Sequence, residues 1–172
     1  MRRTGKPGVL IRRPGPEHCL DFLAAVRRSR ALLDPWVSPP GTAKAFRAYL
    51  DRIASGSHYG FLVLRREDQQ LVGVINLNNV IRAAFQSAFL GYYAFSPFEG
   101  QGFMCEGMRL VIQRAFTVLK LHRLEANVQP DNHRSIALVR KCGFVREGFS
   151  RRYLKVAGQW RDHERWAIVR AA

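Results

Sequence analysis

Residues 88–104 read AFLGYYAFSPFEGQGFM, and this stretch decides the fold. Residues 88–95 are nearly all apolar or aromatic, which predicts a strand covered on both faces and therefore central in its sheet. Farther along the chain, apolar residues recur at helical spacing: Met108, Val111, Ala115 and Leu119. The order is strand, glycine-containing loop, helix. Such an order can bring backbone N–H groups and the positive end of a helix to a phosphate.

The loop sequence Gly100-Gln101-Gly102 is a weak motif when taken alone. A dinucleotide-binding fingerprint would have glycine or alanine at Cys105 and would open a parallel βαβ unit. A Walker loop would need Gly-Lys-Ser/Thr, which is absent. Two interpretations stay open: a phosphate site for another class of nucleotide-carrying ligand, and a tight turn with no ligand.

The flanking sequence predicts alternating strands and helices along the whole chain. Further β-rich runs cover residues 8–13, 59–65, 71–80, 124–128, 144–156 and 160–169, and helical patterns cover 17–28, 42–54 and 132–142. This order predicts an α/β (α+β) fold with a single mixed, mostly antiparallel sheet of about seven strands and helices on both faces. Without repeats or a long linker, residues 1–172 are expected to form one domain.

The composition excludes several classes of protein. With 47% hydrophobic and 24% charged residues, the chain is neither disordered nor collagen-like. Its net charge of +15 favours an anionic partner such as nucleic acid, the ribosome or a polyphosphate cofactor, and disfavours a small polycationic substrate. An arginine-rich proteome would explain the same charge without any partner.

No apolar run is long enough to span a bilayer, so no membrane association is predicted. Arg2, Arg3 and Lys6 resemble the head of a signal peptide, but only residues 9–11 follow as an apolar segment. A cytoplasmic location is therefore expected. The three widely spaced cysteines are expected to be reduced thiols, and the five histidines show no metal-ligand spacing, so no metal is predicted.

Several motifs occur together in a specific order: Gly91-Tyr92, Gly100-Gln101-Gly102-Phe103-Met104-Cys105-Glu106, Arg123-Leu124-Glu125-Ala126, Asn132-His133-Arg134-Ser135, Gly143-Phe144 and Gly158-Gln159-Trp160-Arg161-Asp162-His163. This series closely resembles the GNAT N-acetyltransferases. Its nearest branch is the RimJ/RimL-type ribosomal-protein-alanine acetyltransferases. The runs Leu33-Asp34-Pro35-Trp36 and Gly73-Val74-Ile75-Asn76-Leu77-Asn78-Asn79-Val80 also resemble that branch, so the resemblance covers nearly the whole chain.

The resemblance implies acetyl-CoA as acyl donor, bound where the fourth strand splays from the fifth. Backbone groups of Tyr93, Ala94 and Phe95 would meet the pantetheine chain as though it were an added strand. The pyrophosphate would rest on the N–H groups of a loop made of Gly100, Gln101, Gly102, Phe103 and Met104. Glu99 departs from the family pattern at the start of this loop, and its carboxylate would repel phosphate if it turned inward.

The same resemblance implies roles for Asn132 and Ser135. The asparagine would contact the cofactor, and the serine hydroxyl would lie near the sulfur, where it could protonate the leaving thiolate. The alternative is that both residues only cap a helix.

The general base is not fixed by the sequence. Related enzymes place an acidic residue before the Tyr-Leu pair of the final hairpin, but here Arg152 precedes Tyr153. Glu125 and Glu106 are the remaining candidates. Glu106 could instead be a helix-dipole partner, and Glu125 could face solvent or an arginine. A weak base would suffice for an α-amine, because its neutral form costs about 3.5 kcal/mol less to obtain at pH 7 than that of a lysine.

The predicted reaction moves an acetyl group from acetyl-CoA to a primary amine by direct attack in a ternary complex. The backbone N–H near Ala94 or Phe95 would steady the oxyanion. The expected acceptor is a protein N-terminus, by resemblance a ribosomal one. Trp36 and Tyr49 are predicted to line the acceptor groove, with core packing as the alternative.

Two other functions stay open. One is acetylation of a small-molecule amine such as an amino acid or antibiotic. The other is an RNA- or ribosome-binding module on the same scaffold, for which the basic clusters Arg27-Arg28-Arg30 and Arg151-Arg152 could provide non-specific RNA binding. A monomer and a homodimer are both compatible with the sequence.

Overall fold

The computed structural model describes residues 8–171, so Arg2, Arg3 and Lys6 lie outside the described residues. Its seven strands are β1 (Val9–Arg12), β2 (Tyr59–Arg65), β3 (Leu71–Ile81), β4 (Ser87–Ala94), β5 (Arg123–Val128), β6 (Val145–Val156) and β7 (Gln159–Val169). They form one sheet in the order β1-β2-β3-β4-β5-β7-β6. The β4–β5 pair is parallel and the other neighbouring pairs are antiparallel. The predicted mixed, mostly antiparallel sheet is confirmed.

Five α-helices accompany the sheet: α1 (Cys19–Arg28), α2 (Arg30–Leu33), α3 (Ala43–Ala54), α4 (Phe103–Thr117) and α5 (His133–Lys141). The helix predicted over residues 17–28 starts as a 3₁₀ turn, Pro16–His18, before α1. The short α2 was not predicted, because four residues are too few to show a helical period. Thr42 caps α3 as predicted, since its Oγ1 accepts a hydrogen bond from Ala45 N at 3.2 Å.

Helices cover both faces of the sheet. We call the face under α4 and α5 the back face, where Met108 and Val111 pack against Leu124 of β5. The front face carries α1–α3, where Phe22 and Phe46 pack against residues of β2 and β3. Along β5 the even-numbered side chains point to the back face. The odd-numbered ones, among them Glu125 and Asn127, therefore point to the front face.

The final hairpin, β6–β7, closes at Ala157 and Gly158, whose φ angles are 48° and 79°. Two successive positive φ angles are typical of the turn that joins twisted antiparallel strands. The β6–β7 register shifts between Ser150 and Leu154, and within this bulge Arg152 N donates to Asp162 Oδ1 at 2.7 Å. None of the helices within residues 8–171 is long and apolar enough to cross a membrane.

Candidate active site

The central feature of the site is a divergence of β4 from β5. The two strands pair from Ser87 with Arg123 up to Leu90 with Ala126, and the pairing then ends. Beyond that point, residues 91–94 stay paired with β3 and residues 127–128 stay paired with β7. Each strand therefore presents one edge to the opening between residues 91–94 and residues 127–128, which we call the gap.

The β4 edge of the gap carries a free amide. Phe95 N donates to Val72 O at 2.7 Å, so this N–H is used within the sheet. Successive N–H groups of a strand point to opposite edges, so the Ala94 N–H points away from β3 and into the gap. Of the two amides predicted to steady an oxyanion, Ala94 is thus the one in position. The Phe95 side chain is buried in the front-face core, and the partly buried Tyr93 packs against it.

The loop before α4 forms an open cradle of main-chain amides. Gly100 and Gly102 have φ angles of 75° and 86°, and nothing lies within 4 Å of the position that a Cβ would take on either glycine. Within residues 8–171, the N–H groups of Gly100, Gln101, Gly102, Phe103 and Met104 donate to no backbone oxygen. The loop can therefore accept an anion at the positive end of α4.

Two hydrogen bonds between residues of the loop segment itself stabilise this loop. Gln101 Nε2 donates to Pro97 O at 2.7 Å, and Ser96 Oγ donates to Glu99 Oε1 at 3.2 Å. The Ser96 hydroxyl at the start of the loop therefore holds the Glu99 carboxylate. This is the carboxylate that was predicted to repel a phosphate if it turned inward.

A pair of hydroxyl groups bridges β4 and α5 on the back face. Asn132 Oδ1 accepts a hydrogen bond from Ser135 N at 3.1 Å and so caps α5. The Ser135 Oγ lies 2.5 Å from the Tyr92 Oη. Burial raises the pKa of Tyr92, so its phenol is protonated at neutral pH. Tyr92 was not predicted as a site residue, because its contact with Ser135 depends on how α5 docks against β4.

The two predicted carboxylates lie in different places. Glu125 is on the front face, in the last part of β5 that still pairs with β4, and Arg123 Nε donates to its Oε1 at 2.8 Å. Arg123 also pairs with Glu147. Glu106 accepts a hydrogen bond from Gly8 N at 2.7 Å, beside β1 at the far edge of the sheet. The structure therefore brings Glu125 near the gap and does not bring Glu106 there.

The predicted acceptor residues are found near α2 and in α3. Tyr49 is 2% exposed, its ring packs against Phe22 and Phe46, and its O–H donates to Asn76 Oδ1 at 2.7 Å. Trp36 lies just after α2 and is partly buried. Their contact with an acceptor stays a prediction.

Two front-face residues beside the gap were not predicted from the sequence. Asn127 lies on β5 directly after the last β4–β5 pair, and His163 lies on β7. The histidine is 3% exposed, and burial lowers its pKa below the usual 6.5. Within residues 8–171, no three His, Cys, Asp or Glu side chains come together as metal ligands.

A sheet that opens beside a main-chain anion cradle, with a free amide at the opening and a hydroxyl pair on the adjoining back face, has the features expected of an acyltransferase. The chain belongs to the GNAT acetyltransferase family. The sequence profile of the family described as "Acetyltransferase (GNAT) domain" matches residues 9–145. The predicted family and its acetyltransferase class are therefore confirmed.

Relatives of this chain support the same family. It is 38% identical over 149 residues to the Bacillus subtilis (strain 168) protein named "Probable N-acetyltransferase YjcK", covering 87% of this chain and 81% of the relative. It is 36% identical over 114 residues to the Escherichia coli (strain K12) "[Ribosomal protein uS5]-alanine N-acetyltransferase", covering 66% of this chain and 59% of that one.

A solved structure matches the architecture closely. Mycobacterium smegmatis RimJ in complex with CoA-disulfide superposes with a TM-score of 0.86 at 28% identity, covering 95% of this chain and 83% of that chain.

Proposed function

We propose that this protein transfers an acetyl group from acetyl-CoA to the N-terminal α-amine of a protein, by direct attack within a ternary complex. The observation that carries the proposal is the divergence of β4 from β5 beyond Leu90 and Ala126. Unpaired strand edges need polar partners, and an extended ligand with amide groups supplies them.

The described residues fit acetyl-CoA in chemistry. Its pantetheine arm has amides for the free edges of the gap, and its pyrophosphate is an anion for the open cradle from Gly100 to Met104. Asn132, which caps α5 on the same side of the sheet, is the proposed further contact to this ligand. When bound, acetyl-CoA supplies an acyl carbon activated as a thioester.

Two groups at the gap have separate proposed roles in the transfer. The Ala94 N–H would donate a hydrogen bond to the acyl oxygen as negative charge develops there. The Ser135 hydroxyl, backed by Tyr92, would protonate the departing sulfur. Both groups sit on fixed elements, so little reorganisation is needed as charge develops.

A protein N-terminus is the acceptor that the available observations support best. The relative from Escherichia coli is named for alanine acetylation of ribosomal protein uS5. The net charge of +15 would also raise the local concentration of an anionic assembly such as the ribosome. Trp36 and the front face between α2 and the gap are the proposed location of the acceptor chain.

The test is an acceptor screen with labelled acetyl-CoA, paired with calorimetry of CoA binding. We expect CoA to bind with a Kd below about 1 mM and peptides with free N-termini to be acetylated faster than small amines. Label transfer to amino acids or antibiotics alone would assign a small-molecule acceptor. Steeply salt-dependent RNA binding without CoA binding would contradict the proposed enzyme.

A further inference from the structure

Asn127 carries an oxygen that the protein leaves without a partner. Within residues 8–171, its Oδ1 is the one enclosed side-chain oxygen or nitrogen that lacks a hydrogen bond. Enclosing a polar atom without a partner costs about 1–3 kcal/mol. Asn127 follows the last β4–β5 pair and points to the front face, so this unsatisfied acceptor lies at the opening of the gap.

His163 offers a second acceptor on the same face. Its Nδ1 lies 3.0 Å from Arg161 O. A carbonyl oxygen only accepts hydrogen bonds, so Nδ1 carries the proton and Nε2 carries the lone pair. Nε2 makes no hydrogen bond to the described residues. Because it is not among the enclosed unsatisfied atoms, it keeps contact with solvent.

The register places these two acceptors within reach of one atom. Asn127 pairs with Arg165, and His163 lies two residues farther along β7 on the same face. Diagonal neighbours of this kind have side chains about 7–8 Å apart at their base. One nitrogen atom with two hydrogen bonds of about 2.9 Å spans nearly 6 Å, so a single amine can contact both side chains.

The hydrophobic core formed by α1–α3 does not extend over these two residues. Its strand residues come from β1, β2 and β3, with Tyr93 of β4 and Phe95 just after β4. No residue of β5, β6 or β7 belongs to that core among the described residues. Asn127 as a residue is only partly buried, so an acceptor chain can reach it from the front once its amide turns outward, while the acyl donor occupies the gap.

We propose that Asn127 and His163 form the acceptor-amine site of the transfer reaction: Asn127 Oδ1 accepts a hydrogen bond from the amine, and His163 Nε2 takes its proton. This inference rests on the proposed function. The amine lone pair forms the new bond to the acyl carbon, and the carbon–sulfur bond breaks with its electron pair going to sulfur. The nitrogen gives one proton to Nε2, and sulfur takes one from solvent through the Ser135 hydroxyl.

The surroundings of His163 keep it neutral when an amine arrives. Burial is the main cause that lowers its pKa, while the Arg161 carbonyl and the Asp162 carboxylate oppose this effect. Tyr153 of β6 packs against the ring edge to face at 6.3 Å. The charged residues that flank His163 on β7 are Arg161, Asp162, Glu164 and Arg165. Those on the neighbouring segments of β5 and β6 are Glu125, Arg151 and Arg152.

A neutral imidazole and a neutral amide oxygen select for acceptor chemistry. Neither of these two groups carries a negative charge that would bind a protonated lysine amine, and histidine is a weak base. An α-amine, with a pKa of about 7.7–8.0, is far more often in the neutral form that can attack than a lysine amine of about 10.4, so only one proton is left for His163 to take. The inferred substrate class is therefore α-amines in preference to lysine side chains.

The first test compares His163→Gln with the matched control His122→Gln, which replaces an exposed histidine just before β5. Acetyl-CoA affinity is measured by calorimetry, and kcat/KM is measured against pH with a hexapeptide that begins with alanine. We expect His163→Gln to lower kcat/KM by about 100-fold with the Kd for acetyl-CoA within about twofold. The inflection of the wild-type acid limb below pH 6.5 should disappear. His122→Gln should match the wild type.

Two further variants separate chemistry from folding. His163→Ala should recover turnover when imidazole is added, which a purely structural defect would not do. Asn127→Val should raise the KM for the peptide by about 10-fold without lowering the melting temperature, because it removes an unsatisfied oxygen. Nitrogen NMR of the histidines should show His163 protonated at Nδ1 in the resting protein.

The outcomes distinguish the inference from the proposed function. Wild-type turnover together with an unchanged rate and pH profile in His163→Gln would overturn the inference alone. So would a proton on Nε2 at neutral pH. Faster acetylation of a lysine side chain than of the α-amine would contradict the proposed acceptor as well as the inference. Absence of acetyl-CoA binding, or of turnover with every amine, would overturn the proposed function and the inference with it.

Discussion

Tyr92 Oη and Ser135 Oγ lie 2.5 Å apart, joining the free end of β4 to the first turn of α5. The phenol also lies 3.5 Å from Ser135 O, and either hydroxyl can be the donor in the short contact between the two side chains. This arrangement predicts that the two residues act as one unit in protonating the leaving sulfur.

Ser135→Ala is expected to lower kcat by about 10-fold or more, because it removes the proposed proton donor. Tyr92→Phe should lower kcat less, since it removes only the group that orients the serine. The double variant should be no slower than Ser135→Ala, because coupled groups are not additive. Steady-state kinetics of the three variants checks this, and full turnover in Ser135→Ala would remove the assigned role.

Two glycines with the same backbone conformation, one in the anion cradle and one outside it, provide a test of the cradle. Gly102 has a φ of 86° before α4, and Gly56 has a φ of 87° after α3, with nothing within 4 Å of either Cβ position. Alanine at either site should cost about 1–2 kcal/mol of stability through left-handed strain. Gly102→Ala alone should also weaken CoA binding, by roughly tenfold, because its methyl group occupies the approach to the amides.

Calorimetry with CoA and urea unfolding of both variants separates the two effects. Equal weakening of CoA binding in Gly56→Ala would show that the loss comes from general destabilisation, and the cradle assignment would then fail.

The sequence predicts the strand, loop and helix around residues 88–104 because burial and glycine chemistry are local signals. The same holds for the Thr42 cap and the turn at Ala157. Which amide faces the gap is not a local signal, since it depends on the register between β3 and β4 that uses the Phe95 N–H. Sequence reasoning therefore could not choose between Ala94 and Phe95.

The front-face residues were missed for a related reason. His163 follows a charged pair in a hairpin, and nothing in that local pattern distinguishes a buried histidine from an exposed one. Its burial appears only when β7 inserts between β5 and β6 in the sheet. The unsatisfied Asn127 oxygen is likewise a tertiary feature, because it depends on which side chains surround the position where β5 leaves β4.

Glu125→Gln tests the carboxylate nearest the gap. Arg123 holds Glu125 and also pairs with Glu147, so Glu125 is engaged in an ion pair at the edge of the site. We expect kcat to change by less than about threefold, in contrast to the loss of about 100-fold that removal of a general base would cause. The stability loss should be about 0.5 kcal/mol, as is typical of a partly exposed pair. A large fall in kcat at unchanged acetyl-CoA affinity would contradict this expectation and identify Glu125 as the general base.

The thiols give a prediction on reactivity. Cys105 and Cys142 are buried with their sulfur atoms 3.5 Å apart, and burial raises the pKa of Cys142 to about 12. The thiolate is the reactive form and both thiols are buried away from a reagent, so neither should react at pH 8 in the folded protein. A chromogenic disulfide reagent should therefore modify Cys19 alone before unfolding and all three cysteines afterwards. Cys19→Ser should then show no reaction when folded, and any fast reaction there would contradict the burial of the other two.

Stability should depend on pH through His163. Its pKa in the folded protein is lowered by burial, whereas the unfolded chain has the usual value of about 6.5. Below pH 6.5 the unfolded state therefore binds more protons than the folded state, and the free energy of unfolding falls as the pH drops. The fall ends once the pH lies below the folded-state pKa, because both states are then protonated.

Urea unfolding of wild type, His163→Gln and His122→Gln at pH 7.5 and 5.5 isolates this contribution. The loss of stability between the two pH values should be smaller in His163→Gln, because glutamine does not titrate. His122 is exposed, so His122→Gln should retain the wild-type loss. Equal losses in all three proteins would mean that His163 takes up its proton in the folded state as easily as in the unfolded chain, contrary to its enclosure between Tyr153 and the β7 backbone.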